Sequence, residues 1–297
     1  MKTKHWFVFI LLGAIWSSSF LWIKIAVQEI SPLMLVSLRV LFGALTGVIA
    51  ILIARTRLPR ERPAWLALAL LGLTSVVIPF TLITWGEQTI DSAVASILNA
   101  TVPLFTFLIA HFFLHEDRLT TPKILGLVIG FSGVVILLIK DLSPGSHNSA
   151  LGQAAVLLAA IFYAGSTIFA RLHTEQVPGL VRGIAPLVSA TLLMAVLTPV
   201  SESPLKFPSH PLVWLAVIFL GVLGSGLAFI LWYYLLHEVG PTRTALVTYT
   251  LPLGGMLLGV LFLKEPLSWN LLLGGLLIVI SVITVNRKTL REVAKIG

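Results

Sequence analysis

The chain has 297 residues, of which 57% are hydrophobic and 11% charged, and its formal net charge is +8. A soluble domain carries about 25% charged residues, so this sequence cannot cover a solvated surface and is expected to fold in a lipid bilayer. The absence of cysteine excludes disulfides and thiol chemistry. The positive charge can indicate nucleic-acid binding, but a membrane protein with its basic residues on one side explains it without nucleic acid.

Ten apolar runs are long enough to cross the hydrocarbon core as helices of about 20 residues. They cover residues 5–27, 32–54, 63–85, 91–113, 122–140, 150–171, 178–199, 211–234, 241–263 and 268–286. Proline stands in most of the links, and it is tolerated in a first helical turn, so it marks helix starts. The first run is too long for a usual signal peptide and lacks a cleavage site, so we expect it to be retained.

The sequence repeats itself: residues 63–140 recur, shifted by 149, as residues 212–289. The recurring pairs include Gly72 and Gly221, Phe80 and Phe229, Pro103 and Pro252, and Glu116 and Glu265. We therefore expect a duplication. Its parts are a first five-helix repeat (1–140), a connecting loop (141–149) and a second five-helix repeat with a short basic tail (150–297).

The basic residues predict the orientation. With the N-terminus in the cytoplasm, 15 of the 20 Lys and Arg lie in cytoplasmic segments, four in outer segments, and Arg39 within a span. This bias favours a multi-pass protein of the cytoplasmic membrane with both termini cytoplasmic. Because each repeat has an odd number of spans, five, the second repeat has the opposite orientation in the membrane to the first. The predicted fold is therefore an all-α integral membrane protein of ten transmembrane helices in two inverted five-helix repeats, an architecture typical of secondary transporters.

Pro103 and Pro252 are the most specific signal inside the predicted spans, because they occupy equivalent positions near the middle of the fourth and ninth helices. Proline lacks the N–H that would bond the carbonyl four residues earlier, which here belongs to Asn99 and Thr248. In a bilayer such carbonyls must find other partners or line a cavity. The pattern predicts either a polar cavity between the halves, lined by all four residues, or a simple kink in each helix.

Arg39 is the one basic residue well inside a predicted span. An intramembrane charge is costly and is a functional hypothesis by default. The alternative is structural, with the side chain reaching the outer interface or bonding carbonyls. We expect Arg39 to face the bundle interior, in or beside the path of a substrate.

The first and sixth predicted helices carry matching polar and aromatic residues near mid-span, where Trp16 corresponds to Tyr163 and Ser19 to Ser166. Small hydroxylated residues allow close helix packing, which is the structural interpretation. The functional interpretation is a cavity wall whose aromatic faces receive the apolar parts of a substrate.

Four carboxylates lie at predicted helix ends. Asp91 has the position of a helix N-cap, and Glu116 and Glu265 lie in tight turns, where an anion favours the N-terminus of the following helix. Glu87 shares the outer turn with Asp91, and two interpretations stay open: a residue of the turn, or a group that takes up a proton or pairs with Arg39.

Catalytic and nucleotide-binding motifs such as the P-loop, HExxH and GxSxG do not occur in the sequence, so we expect no cofactor, no metal and no enzymatic activity. Transport without a nucleotide site must follow a gradient of solute, proton or another ion. Proton coupling usually uses intramembrane carboxylates or histidines, and here these lie only near span ends. The sequence favours facilitated diffusion or exchange, with Glu87 as the candidate residue if protons are coupled.

Four segments form a specific combination: GAIWSSSFLWIKIA (13–26), SPLMLVSLRVLFGAL (31–45), WGEQTIDSAVASILNATVPLFTFLIAHFFLHEDRLT (85–120) and VGPTRTALVTYTLPLGGMLLGVLFLKEPLSW (239–269). The last two each contain small residues, then a proline, then a Glu-containing turn. In this combination the chain resembles, over nearly all its length, the EamA-type members of the drug/metabolite transporter superfamily. The resemblance implies ten helices in two inverted repeats and export or exchange of small metabolites through a central cavity. Members move amino acids, other metabolites or drugs, so it names no substrate.

The sequence thus predicts a secondary transporter, an exporter of small organic metabolites such as amino acids, that works by alternating access through a central cavity. The alternatives are a passive uniporter or importer and, from another class, a membrane enzyme or sensor. Expected partners are a small-molecule substrate and membrane lipids but no nucleic acid, and monomer or homodimer stays open. The expected cavity residues are Trp16, Ser19, Arg39, Asn99, Pro103, Tyr163, Ser166, Thr248 and Pro252, with Glu87 as coupling candidate.

Overall fold

The computed structural model describes residues 2–114, 121–141 and 148–285, and all regular elements in this part of the chain are helical. They form, in order, α1 (Thr3–Ala26), α2 (Pro32–Ile53), α3 (Arg62–Gly86), α4 (Ser92–Phe113), α5 (Thr121–Asp141), α6 (Ala150–His173), α7 (Gly179–Ser201), α8 (Pro211–Gly240), α9 (Arg243–Leu263) and α10 (Trp269–Val285). Eight are long and apolar enough to cross a bilayer, and α5 and α10 contain the shorter apolar stretches Lys123–Ile139 and Trp269–Thr284. The chain is therefore a multi-pass, all-helical membrane protein.

Helix boundaries follow local chemistry. Ser31 caps α2 by accepting a hydrogen bond from the Met34 backbone N–H at 3.1 Å, and Pro32 opens that helix. Ser149 caps α6 in the same way through the Gly152 N–H. The predicted end of the eighth helix at residue 234 was wrong. The helix continues to Gly240, whose φ of 82° lies in a region that glycine adopts without strain.

The fourth and ninth helices are interrupted close to their predicted prolines. In α4 the regular helix ends at Asn99, and residues 100–101 form a turn before it resumes at Val102. In α9 a 3₁₀ segment, Leu246–Tyr249, precedes the regular helix. The proline effect is thus a change of helix type or a break, stronger than a simple kink.

Wider helical turns occur in α3 and α8, and the sequence did not predict them. Residues Leu73–Val77 of α3 and Phe219–Leu227 of α8 are π-helical. Adding 149 to 73–77 gives 222–226, which lies inside the second segment, so the two interruptions occur at corresponding places in the recurring sequence. Such wide turns occur frequently at functional sites.

The helices pack so that the first five interleave with the last five. The neighbouring pairs are α1 with α9, α4 with α6, α2 with α8, α3 with α7, α3 with α6, α1 with α8, α2 with α7, α4 with α9, and α5 with α10. Large apolar side chains face outward from most helices, among them Ile53, Val128, Leu192 and Leu257. This outer apolar surface is what a bilayer solvates, and the polar contacts described next lie between the helices.

Candidate functional site

Arg39 lies in the interior of the bundle, as its side chain is only 7% exposed. Its guanidinium carbon stands 3.8 Å from the centre of the Phe80 ring on α3, a close cation–π contact. Its Nε donates a hydrogen bond of 3.1 Å to Ser225 Oγ, in the π segment of α8. Arg39 therefore joins three helices, two from the first half of the chain and one from the second.

These contacts leave the two terminal nitrogens of the Arg39 guanidinium available for further hydrogen bonds. Within the described part of the chain, its two terminal nitrogens have no hydrogen-bond partner. Unlike the Glu87 oxygens, these two nitrogens are not fully enclosed, so a water molecule can reach them. Arg39 interacts electrostatically with the Tyr163 hydroxyl and the Glu87 carboxyl. The site thus offers free N–H donors with a positive charge, which suits a carboxylate.

Trp16 and Ser19 of α1 lie against the π segment that also carries Ser225. The Trp16 indole N–H donates to the Gly224 carbonyl at 3.3 Å, and its ring lies 5.2 Å from that of Trp232. A Cβ at Gly224 would stand 3.3 Å from Ser19 Oγ. The π segment of α8 thereby brings Trp16, Ser19 and Arg39 together around residues 224–225.

Ser166 of α6 contacts the other π segment. Its hydroxyl donates to Thr74 Oγ1 at 2.9 Å. Tyr163, one turn earlier on α6, packs among buried residues of two apolar clusters and lies in electrostatic range of Arg39. The predicted pairs from α1 and α6 are thus each placed beside a π segment, although their contact with a substrate stays a prediction.

The proline-pair residues lie apart from Arg39. Pro103, Thr248 and Pro252 line a void of about 10 Å³, closed on another side by Val279 and Val282 of α10. That volume suits roughly one water molecule and is smaller than the expected polar cavity. Asn99 Oδ1 is enclosed and, among the described residues, without a hydrogen-bond partner. The role of these four residues in transport stays a prediction.

Glu87 follows the last residue of α3 and is completely buried, at 0% exposure. Both of its carboxyl oxygens are enclosed and have no hydrogen-bond partner among the described residues. Burial raises the pKa of this carboxyl well above its usual value. Lys24 lowers that pKa, Glu265 raises it further, and Arg39 lowers it. The Lys24 ammonium does not bond the carboxyl but donates to the Glu87 and Ile90 backbone carbonyls, at 2.7 and 2.8 Å.

Glu265 caps a helix, but not the one predicted. Its carboxylate accepts hydrogen bonds from the Ser92 and Ala93 backbone N–H groups, at 2.7 and 2.9 Å, at the start of α4. The following helix, α10, is instead capped by Ser268, which accepts from the Leu271 N–H. The correction has a physical reason: the free N–H groups and positive dipole end of α4 lie within reach across the interface, which sequence proximity does not reveal.

Asp91 occupies the backbone position of the α4 N-cap, as predicted, but its side chain makes no capping bond. It pairs instead with Asn148, whose Oδ1 accepts from the Asp91 N–H at 2.6 Å. The predicted turn around Glu116 lies outside the described residues, as do most of the predicted connecting loop and the basic tail.

The residues around Glu87 belong to one end of the bundle, which we call the Glu87 end: the links 27–31, 87–91, 202–210 and 264–268, with Asn148 and Ser149. Hydrogen bonds between the two halves of the chain join these links. Ser31 donates to Glu202, and Ser209 donates to Glu29, at 2.5 Å each. Within the described residues, the Glu87 end is therefore closed over Glu87 in this conformation.

Sequence reasoning missed Phe80, Ser225, and the partner of Glu265. Ser225 lies in the glycine-rich run Gly221–Gly226, where an added Cβ at Gly221 would stand 2.9 Å from the Arg39 carbonyl. A glycine-rich stretch inside an apolar span was the available signal for this close approach. Among the described residues, no three His, Cys, Asp or Glu side chains are placed to hold a metal ion.

Comparison with known proteins connects this arrangement to a family. A family model described as "EamA-like transporter family" matches residues 4–139 and again residues 150–287. An "Uncharacterized transporter YoaV" of Bacillus subtilis strain 168 is 25% identical over 265 residues, covering 89% of this chain and 90% of the relative. A "Probable terminal-alkyne amino-acid exporter" of Streptantibioticus cattleyicolor is 27% identical over 290 residues, covering 97% and 95%.

A solved crystal structure has the same fold. It aligns with a TM-score of 0.69 over 97% of this chain and 99% of its own, at 22% identity. The arrangement of helices is therefore one already seen in a crystal.

Proposed function

This chain belongs to the EamA-like transporter family, and from that premise we propose that it is a secondary transporter that exports small organic solutes bearing a carboxylate, such as amino acids, by alternating access. The observation that carries the proposal is the Arg39 guanidinium, buried between the halves with both terminal nitrogens unpartnered among the described residues. A buried charge with free donors is costly unless a ligand of opposite charge completes it. The relative named as an amino-acid exporter supports including amino acids in this solute class.

We further propose ten membrane spans in two inverted repeats, 1–140 and 150–297. The packing supports this arrangement. Exchanging each of α1–α5 with its counterpart in α6–α10 converts the α1–α9 contact into α6–α4, α2–α8 into α7–α3, and α3–α6 into α8–α1, all of which occur. A two-fold axis in the membrane plane produces this exchange and places one site between two similar halves.

The orientation is expected to put both termini in the cytoplasm and the Glu87 end outside, because 15 of the 20 Lys and Arg then lie inside. Single cysteines at Leu58 and Lys206, both in exposed links, form a matched pair for labelling, since the chain has no native cysteine. An impermeant maleimide added to intact cells is expected to label Lys206→Cys and not Leu58→Cys. Labelling of Leu58→Cys before the cells are opened would overturn the orientation.

Counterflow in proteoliposomes tests the function directly. Vesicles loaded with an unlabelled amino acid are expected to take up the same labelled solute faster than vesicles without protein, because exchange through one site needs no other energy source. A panel of carboxylates and matched amides defines the solute class. If no member of the panel exchanges, or amides exchange as well as carboxylates, the proposed solute class is wrong. Comparing the rate of solute release from preloaded vesicles with the rate of solute uptake then distinguishes an exporter from a uniporter or importer.

A further inference from the structure

The carboxyl group of Glu87 is an exception to the way this protein treats its other interior charges. Arg39 has Phe80 and Ser225, and Glu265 has two backbone N–H donors. Both Glu87 oxygens are enclosed without a hydrogen-bond partner in the described part of the chain. A carboxylate in this position would lose its hydration and receive no hydrogen bond in return, which costs several kcal/mol, whereas a neutral acid avoids most of this penalty.

The enclosure of Glu87 depends on the closure of the Glu87 end. Glu87 begins the 87–91 link, whose backbone carbonyls at Glu87 and Ile90 are held by Lys24. The same link is held by Ser149, which donates its N–H to the Thr89 carbonyl at 3.0 Å, and by Asn148. An opening that separates these contacts would bring water to the carboxyl and restore its hydration.

We propose that Glu87 is a proton-binding site that controls the Glu87 end: this end closes when Glu87 binds a proton from the outer solution and opens with return of that proton to the same solution. The inference rests on the proposed function, because it requires an end that opens and closes. One proton is taken up on closing and one is released on opening, with no other change in bonding. External acidity therefore favours the closed end, and external alkalinity the open one.

The charges around Glu87 are consistent with a single titrating carboxyl. Lys24 from α1 and Arg39 from α2 favour the ionised form, and Glu265, from the link before α10, disfavours it. On α6, Tyr163 interacts with Arg39 and not directly with Glu87. Asp91, on the same link, faces Asn148. Burial outweighs the two cations, because it is the largest influence on Glu87.

A cysteine behind the closed end reports the opening. Ser92 is 0% exposed at the start of α4, beneath the Glu265 carboxylate, so Ser92→Cys is reached from outside only when the end opens. Its labelling rate by an impermeant maleimide is measured at several external pH values and divided by the rate for the exposed Lys206→Cys reporter. The proposal predicts that this ratio rises with pH, by up to about tenfold per unit, because one proton separates the two states.

Glu87→Gln in the Ser92→Cys background removes the titration while keeping the shape of the side chain. We expect a low ratio of labelling rates that no longer changes with pH. Glu175→Gln, an exposed carboxylate outside the Glu87 end, is the matched control and is expected to keep the full pH dependence. The rate of Glu87→Gln divided by that of the parent at each pH also cancels the titration of the thiol itself.

Each remaining outcome overturns the inference. A parent ratio that is flat with pH, or a Glu87→Gln variant with the parent's pH profile, excludes Glu87 as the controlling proton site. If Glu87→Gln fails to fold, the parent measurement still tests the inference, because a flat parent ratio overturns it. Counterflow in the same preparation separates the two proposals: exchange without pH-dependent labelling leaves the proposed function standing and removes only the proton site.

Discussion

Replacing Arg39 by glutamine is expected to lower the kcat/KM for a carboxylate solute by about 30-fold or more. Loss of one member of a buried, charge-assisted contact costs about 2–5 kcal/mol, and each 1.4 kcal/mol is a factor of ten. The glutamine side chain is long enough to reach Ser225, so the helices lose the cation–π contact with Phe80 rather than the Ser225 hydrogen bond. The measurement is initial exchange rate against solute concentration in proteoliposomes, with the amount of inserted protein determined for each variant.

Arg182→Gln is the control for loss of an arginine from a helix, because Arg182 lies in the first turn of α7 and donates to the Glu175 and Val177 carbonyls of its own link. It is expected to transport at close to the parent rate. Exchange of an uncharged amide, if the protein accepts one at all, is expected to be insensitive to Arg39→Gln. Unchanged kinetics in Arg39→Gln together with a lower melting temperature would instead assign Arg39 a structural role.

Replacing Glu265 by alanine is expected to lower the melting temperature in detergent by about 5–10 °C. The change leaves the Ser92 and Ala93 N–H groups without their acceptor in a buried position, and each unsatisfied donor costs about 1–3 kcal/mol. For a protein of this size, one kcal/mol corresponds to roughly 2–4 °C. Loss of these two hydrogen bonds also removes a contact between α4 and the link after α9. Labelling of Ser92→Cys from outside is therefore expected to become faster.

Three companion variants identify the cause. Glu265→Gln keeps one oxygen acceptor and is expected to lose less stability than Glu265→Ala. Gly259→Ala keeps the Glu265 carboxylate but adds a methyl group that would overlap Glu265 and Ser92. It is therefore expected to weaken the hydrogen bonds between Glu265 and the start of α4. Glu175→Ala removes an exposed carboxylate and is expected to melt with the parent. A Glu265→Ala variant that melts with the parent would show that these two hydrogen bonds contribute nothing measurable.

The presence of long apolar helices and their places along the chain could be predicted because the bilayer imposes them. A span needs about 20 apolar residues, and few soluble-protein patterns imitate such a run. Arg39 was predictable for the same reason, since a lone charge among apolar residues stands out, and its place in the interior follows from the cost of exposing it to lipid. The recurrence at a shift of 149 predicted the interruptions in α4 and α9 through their shared prolines.

Contacts between distant segments could not be predicted in this way. The Glu265 carboxylate and the Ser92 N–H are 173 residues apart, and only the packing of α9 against α4 brings them together. The same is true of Arg39 and Ser225, which are 186 residues apart. Glu87 was placed correctly at a helix end, but its position did not show that the end is closed over it.

The two π segments carry information about how the chain arose. A π-turn pairs residues five apart instead of four, so it accommodates one residue more than the α-helix around it. Two independent insertions would have had to occur at corresponding places in α3 and α8, at 73–77 and inside 219–227. Under the proposed two-repeat architecture, a single insertion in an ancestral helix, present in both copies, needs one event. Arg39 has no such counterpart, because the corresponding place lies near Ala185. The wide turn is therefore a feature that the two halves share, whereas the charge that bonds Ser225 belongs to the first half alone.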